Sequence, residues 1–385
     1  MATSIRIAQV VEAVGGGCRK HVLDLATGLD PARFHQTVIF SSNRDSEFGA
    51  RLVEATGGTV EAIPWDVQRG LRLRSDAAGC RFLRRLFLER DFDLVHCHSS
   101  KAGMLGRLAA RRLRAVKVYT PHCFPFQMDT DPRRRAAYLW LERLGGWYTD
   151  CLVTVAPYEA TLARLMRIVR AERIVTIENG VDPAAYDVAV DVPRKKAELG
   201  LAATDRVVLA VGALRPQKGY RHLIEAAPGL IRQEPRARVL IAGEGRLRPA
   251  LTELIQRLGV GEHVRLLGDR ADVPELLKAA DCLAMASLWE GGPYTVLEAM
   301  AAGTPVVCTR VPGLTDWVHE GRTGRLAEPR DAQSLADTIA RALAETDHSR
   351  RMAAEAKEMV LRRNTKARWL AEMVALYEKL AGSQA

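Results

Sequence analysis

The chain has 385 residues, 48% of them hydrophobic and 26% charged, a balance that excludes a disordered, collagen-like or disulfide-stapled protein. At about 150 residues per domain, that length favours two domains. Lys and Arg number 56 against 46 Asp and Glu, giving a net charge of +10 that leaves nucleic acid, anionic lipid or a polyanionic small substrate open as partners.

No apolar run approaches the ~18–20 residues that a membrane-spanning helix needs. The amino terminus enters a strand-like run at Ile5 without the charged, apolar and small-residue pattern of a secretion signal. The seven cysteines are scattered and contain no C-x-x-C, as expected in a reducing compartment, and a cytoplasmic location follows.

Short β-branched runs alternate with amphipathic stretches throughout, which is the pattern of parallel sheets with crossover helices. Strands are expected over 5–11, 36–41, 59–63, 93–96, 116–120, 151–155 and 174–177. The helix after Gly17 shows Val22, Leu25 and Leu29 on one stripe, and the segment 105–113 is expected to keep its arginines in solvent. Turn residues cluster at Glu178-Asn179-Gly180-Val181-Asp182-Pro183, and there the first domain (1–182) ends.

The alternation restarts with strands over 206–211, 237–242, 264–267, 281–286, 305–309 and 324–326, giving a second domain of 183–365. Residues 366–385 read as a terminal helix that could cross back to the first domain. The expectation is an α/β chain with two doubly wound parallel sheets facing across a cleft, ligands lying beyond the carboxyl ends of the strands.

Gly15-Gly16-Gly17, between the first strand and the first helix, suits either a tight turn or a phosphate at a helix amino terminus, since it lacks the G-x-G-x-x-G spacing. Arg215 and Lys218, in the loop 212–219 after a strand, place two cations where a diphosphate would be held. Gly243-Glu244-Gly245 ends the next strand.

The most specific segment runs from Glu290 through Gly291-Gly292-Pro293-Tyr294-Thr295 to Glu298, with two carboxylates flanking a turn and a helix start, suited to hydroxyls of one polyol-bearing ligand. His96-Cys97-His98 is the densest group of soft ligands, but an extended chain turns Cys97 away from the two imidazoles, and no metal site is expected.

Glu290–Glu298 resembles the E-x7-E motif of the retaining GT-B glycosyltransferases of family four, the group with bacterial enzymes that build polysaccharide and other surface glycans. The likeness extends over essentially the whole chain. It includes the Gly-rich first loop, the segment 95–103, Tyr119-Thr120-Pro121-His122, Asn179-Gly180-Val181-Asp182, Arg215-Pro216-Gln217-Lys218-Gly219 and the stretch 266–281.

The resemblance implies two Rossmann-like domains, the first on the acceptor side and the second on the donor side. It implies a nucleotide-sugar donor, UDP-linked by preference, and a hydroxyl acceptor on a glycan or lipid-linked precursor. Arg215 and Lys218, with Gly16 and Gly17, would hold the diphosphate. Glu290 would contact the transferred sugar, Glu298 the ribose, and Gly243 and the backbone of Gly291, Gly292, Pro293, Tyr294 and Thr295 would complete the donor pocket. His122 would lie beside the reacting centre, and His98, Ser99, Ser100 and Lys101 on the acceptor side.

Fixed cations at the departing diphosphate would stabilise the transition state without a metal. No second carboxylate is placed as an unmistakable nucleophile, and the resemblance therefore implies front-face attack, the leaving phosphate taking the acceptor's proton, with retention of configuration. Cys123 stands where relatives often carry Gly, and Ala156-Pro157 where they often have a serine-containing turn.

Two D-x-D triplets, Asp91-Phe92-Asp93 and Asp129-Thr130-Asp131, have plainer roles ahead of a strand and at a helix start. Arg81–Arg85 and Arg133–Arg135 read as solvated faces, with Tyr138, Trp140, Trp147 and Tyr148 as a core face; peripheral docking on the anionic inner face of the cytoplasmic membrane is the alternative. The rivals to a glycosyltransferase of a lipid-linked or cell-surface acceptor are one with a soluble acceptor, a dinucleotide oxidoreductase, and a basic surface-binding protein without catalysis. Nucleic acid is the least expected partner.

Overall fold

The computed structural model describes residues 4–68, 70 and 72–382. It separates into two units, Met1–Asn179 with Lys366–Ala385, and Gly180–Thr365. The first division falls three residues ahead of the expected 182.

The first unit begins with β1 (Ile5–Val11), α1 (Gly16–Gly28), β2 (Phe34–Ser41), α2 (Phe48–Ala55) and β3 (Glu61–Trp65). It continues with α3 (Leu73–Arg90), β4 (Leu94–His98), α4 (Ser100–Ala110), β5 (Val116–Thr120) and α5 (Pro132–Gly146). β6 (Cys151–Thr154), α6 (Pro157–Leu165) and β7 (Ile174–Thr176) complete a seven-stranded sheet in the order β3-β2-β1-β4-β5-β6-β7. Every neighbouring pair is parallel.

The second unit runs α7 (Val192–Glu198), β8 (Arg206–Val211), α8 (Tyr220–Gln233), β9 (Ala237–Ala242), α9 (Arg248–Arg257) and β10 (Val264–Gly268). It closes with α10 (Val273–Ala279), β11 (Cys282–Met285), α11 (Tyr294–Ala302), β12 (Val306–Thr309), β13 (Arg325–Ala327), α12 (Ala332–Ala344) and α13 (Thr346–Arg363). Its six parallel strands take the order β10-β9-β8-β11-β12-β13. Strands covered on both faces must be apolar throughout, and Val207, Val208, Leu209 and Ala210 of β8 are all buried.

The last helix, α14 (Lys366–Gly382), belongs to the first unit. Trp369, Met373, Leu376 and Tyr377 form its buried stripe and pack against Ile7, Leu25, Leu94 and Val118.

Two sequence expectations fail here. Arg107 of α4 is fully buried instead of facing solvent. Its Nε donates to Gly103 O at 2.6 Å and its two terminal nitrogens to Thr149 Oγ1 at 2.8 Å and Glu142 Oε2 at 3.4 Å. The guanidinium lies 3.7 Å from the Tyr119 ring centroid, and Tyr119 donates to Glu142 Oε1 at 2.9 Å, so every charged group in this pocket is paired.

The second fails in part: of the aromatics in and just after α5, Tyr138 packs on the core as expected, whereas Trp140 and Trp147 are 62% and 80% exposed. The D-x-D acids do take structural roles: Asp131 caps α5 by accepting from Arg134 N at 3.0 Å, and Asp93 accepts from Arg6 N at 2.7 Å.

Removing the guanidinium would leave Glu142 as a buried, uncompensated carboxylate. Arg107→Ala is therefore expected to lower the unfolding free energy by roughly 3–5 kcal/mol in urea denaturation, and an unchanged midpoint would contradict this role.

Candidate active site

In each sheet the strand order reverses beside the first strand, between β1 and β4 in one unit and between β8 and β11 in the other. The loops leaving such a pair diverge and leave room at the carboxyl ends. The sequence motifs fall at these two places.

In the second unit, the β8 loop carries Arg215 into a single 3-10 turn, Pro216–Lys218, and α8 starts only after Gly219. Gly219 has φ 62°, and a Cβ there would lie 1.9 Å from Ala286 O, so only glycine lets this loop touch the β11 loop. That contact brings Lys218 onto Glu290: Nζ donates to Oε1 at 2.7 Å.

Ser287 Oγ donates to the same oxygen at 2.7 Å and Gln217 Nε2 to Oε2 at 3.2 Å. Glu290 is 4% exposed, and a carboxylate so buried requires these donors. Gly313, with φ 83°, passes so close beneath that an added Cβ would meet Glu290 O at 2.4 Å.

Pro293 precedes the first turn of α11, whose positive end the Gly291-Gly292 segment approaches. Thr295 lies in that turn, and Glu298, four residues beyond Tyr294, shares its helix face and is half-buried. Gly243 donates its N–H to Gly268 O at 2.7 Å, so it offers close approach and no spare amide.

In the first unit, Gly16 and Gly17 open α1 on the surface, and Gly16 has φ 61° with open space around it. Beside them, at the ends of β4 and β5, the chain gathers His21, His96, His98 and His122. The ring centroids of His96 and His98 are 4.0 Å apart, those of His21 and His122 4.6 Å. His98 Nδ1 lies 3.2 Å from His122 Nε2, and His21 Nδ1 3.2 Å from Asn179 Oδ1.

Burial, reinforced by the neighbouring imidazoles, holds His96, His98 and His122 well below the ordinary histidine range. Burial lowers His21 to about 4 against a partial offset from its Asn179 bond. All four rings are therefore neutral near pH 7. One nitrogen from each of His21, His98 and His122 lies within 4.8 Å of the others, so among the described residues this trio could hold a metal ion, with Cys97 turned away as its strand position requires.

His122 and Cys123 are left-handed, with φ 56° and 111°, a costly pair of conformations for side-chain-bearing residues. Glu159 braces the bend by accepting from Cys123 N at 2.8 Å and Val155 N at 2.9 Å. Ser99, also left-handed at φ 71°, precedes α4, and Ser100 begins it. Lys101 turns to α3, donating to Asp76 Oδ1 at 2.5 Å and Gln68 O at 2.6 Å.

Several of these partners are silent as motifs. Ser287 lies three residues ahead of Glu290 outside any motif, Gly313 reaches it only through the fold, and Gln217, though inside the 215–219 motif, has no role that the motif implies. Gln9 and His21 did carry a signal, since an amide inside an apolar strand and an imidazole on the buried stripe of α1 must both find partners.

Residues 191–359 match the family described as Glycosyl transferases group 1, and residues 16–180 the Glycosyl transferase 4-like domain. The UDP-Gal:alpha-D-GlcNAc-diphosphoundecaprenol alpha-1,3-galactosyltransferase of Escherichia coli is 33% identical over 279 residues, 71% of this chain and 72% of its own. The D-inositol 3-phosphate glycosyltransferase of Corynebacterium efficiens is 30% identical over 370 residues, covering 89% and 86%. Among solved structures, Anabaena HepE in complex with UDP and glucose aligns with a TM-score of 0.84 at 24% identity, over 97% of this chain and all of that one, a likeness of fold.

The neutral histidines also fix a pH dependence. Below about pH 6.5 the unfolded chain binds protons that the folded cluster refuses, so stability is full above that value and is lost as the pH falls toward 4. Between pH 6.5 and 5 the unfolding free energy is expected to drop by about 1 kcal/mol per pH unit for each such ring. His21→Gln should flatten that slope, and an equal slope in both proteins would contradict the burial of a neutral His21.

Proposed function

The chain belongs to the group 1 glycosyltransferases and has their GT-B architecture of two Rossmann-like units; from that premise we propose that it moves a sugar from a UDP-sugar to a hydroxyl of a lipid-linked or cell-surface glycan precursor. Transfer proceeds with retention of anomeric configuration and without a metal ion. The observation that carries the reading is the buried Glu290, held by Lys218, Ser287 and Gln217 at the reversal point of the donor-side sheet.

Lys218 spends one of its three protons on Glu290 and has two for phosphate oxygens, and Arg215, three residues earlier in the same loop, adds a second cation. Gly16 and Gly17 assist at the diphosphate. Glu290, oriented by its donors, accepts from sugar hydroxyls, and Glu298 from the ribose. Gly243 permits close approach, and the backbone of Gly291 to Thr295 lines the nucleotide.

As the bond from the anomeric carbon to phosphate breaks, negative charge gathers on the leaving diphosphate, where Lys218, held by Glu290, and Arg215 offset it. The acceptor oxygen bonds the same face of the carbon and its proton passes to the departing phosphate. His122 stands beside the reacting centre, and His98, Ser99, Ser100 and Lys101 serve the acceptor side.

The UDP reading draws support from HepE, solved with UDP, and from the Escherichia coli relative, whose name gives a UDP-Gal donor and a diphosphoundecaprenol-linked acceptor. The Corynebacterium relative, acting by name on D-inositol 3-phosphate, favours a soluble acceptor as the second reading.

A lipid-linked acceptor also suits the outer face of α3 and α5. These helices flank α4 in one layer, where Leu73, Leu88, Trp140 and Trp147 are exposed among Arg81, Arg85 and Arg133–Arg135. This is the mix of apolar and cationic groups that settles on an anionic bilayer, at about 1 kcal/mol per surface cation. Among the described residues no helix is long and apolar enough to cross a membrane. The inner face of the cytoplasmic membrane is the proposed place of work.

Glu290→Ala and Lys218→Ala are each expected to cut UDP release and sugar transfer from the matched donor by about 100-fold, with wild-type activity indifferent to EDTA and the donor's anomeric configuration kept in the product by proton NMR. Undiminished transfer by both variants would show the donor site misassigned. Vesicles containing phosphatidylglycerol should co-float the protein, and the Trp140→Ser, Trp147→Ser double variant should bind less; flotation indifferent to anionic lipid would remove the membrane reading.

A further inference from the structure

The buried histidines share one hydrogen-bonded chain with α14, and Gln9 is its branch point. Gln9 Nε2 donates to the Tyr377 hydroxyl at 3.3 Å, and Gln9 Oε1 accepts from His98 Nε2 at 2.8 Å. A phenol that accepts from an amide has one proton to give, and Tyr377 gives it to His96 Nδ1 at 2.6 Å. His96 then carries its own proton on Nε2 and donates it to Thr120 Oγ1 at 2.8 Å.

On the other branch, His98 is protonated on Nε2 and presents a bare Nδ1 to His122 Nε2 at 3.2 Å. Two neutral imidazoles meeting at that distance need a proton between them, so His122 carries its proton on Nε2 and keeps Nδ1 as its basic nitrogen.

We propose that Tyr377 and Gln9 are positioning residues that set the tautomer of His122 from the carboxy-terminal helix, through the relay Tyr377–Gln9–His98. The inference rests on the reading of His122 as the imidazole beside the reacting centre. Turning over the Gln9 amide would reverse every donor and acceptor in the His98 branch and move the His122 proton to Nδ1. Tyr377 couples the two branches, so the amide can turn only if His96 and Thr120 reverse as well. Gln9, His96, His98, Thr120 and Tyr377 are all at 0% exposure and only His122 is partly exposed, so within the relay water offers no substitute partner. An imidazole in the wrong tautomer meets its substrate with the wrong nitrogen, as carboxylate-oriented histidines in hydrolases illustrate.

The test uses the full chain labelled with 15N-histidine at pH 7.5, where the cluster is neutral, with long-range 1H–15N spectra separating protonated from bare ring nitrogens. The wild type is expected to show His96, His98 and His122 protonated on Nε2. In Tyr377→Phe, His98 and His122 should become mixed, with kcat falling roughly two- to tenfold, the span of one net hydrogen bond, and KM for the nucleotide sugar unchanged. Adding Gln9→Glu to that variant should rescue both readouts, because a carboxylate only accepts and so keeps the proton on His98 Nε2.

Nε2 tautomers unchanged in Tyr377→Phe, or a rescue variant that inverts them, would overturn the relay. Should Tyr377→Phe not fold, Gln9→Glu alone decides: His98 and His122 must stay protonated on Nε2. If the tautomers move as expected while kcat stays constant, the relay stands and the reading of His122 at the reacting centre falls.

Discussion

A parallel sheet wound in both directions from its middle has one place where adjacent strands send their chains to opposite faces, and no connection can cover it. Both units are built around that constraint. At the β8/β11 reversal the diverging loops carry Arg215, Lys218 and Glu290, and at the β1/β4 reversal they carry Gly16, Gly17 and the residues after His98. The rest of each unit serves to keep these loop roots still: strands apolar on both faces, helices with one buried stripe, and glycines where two loops must touch.

The two reversal points treat buried polar groups in opposite ways. In the second unit a charge is kept and matched, Glu290 against Lys218 with two neutral donors, so the cost of desolvation is offset by direct bonds. In the first unit charge is refused, because four imidazoles crowd together and burial leaves each neutral. Arg107 and Glu142, buried behind α4, repeat the matched solution for a structural end.

Most of the architecture was legible because local pattern and tertiary position agree. The strands over 5–11, 116–120, 206–211 and 237–242 have the bounds that their β-branched runs imply, the glycines at 15–17 fall at the junction of β1 and α1, and Glu298 lies in the helix that follows the Gly291-Gly292-Pro293 turn. What escaped reading depended on contacts remote in sequence. Nothing near Arg107 announces that Glu142 and Thr149 will close over it, so helical periodicity alone assigns it to solvent. Trp140 and Trp147 have core composition at helical spacing, yet both stay exposed while Tyr138 and Leu139 of the same segment pack on the core. Gln217 and Lys218 likewise reach Glu290, more than seventy residues on, only because Gly219 lacks a side chain where the two loops touch.

The return of α14 to the first sheet carries a consequence for how the protein is made. The unit that emerges first from the ribosome lacks the helix that covers Ile7, Leu94 and Val118 until the whole of Gly180–Thr365 has been synthesised, roughly 10–40 s later at ordinary elongation rates. Throughout that interval an apolar sheet face and the polar chain of Gln9 and His96 stand open to water. The first-made half is therefore the last to be finished, and His96 gains its bond to Tyr377 only when α14 arrives.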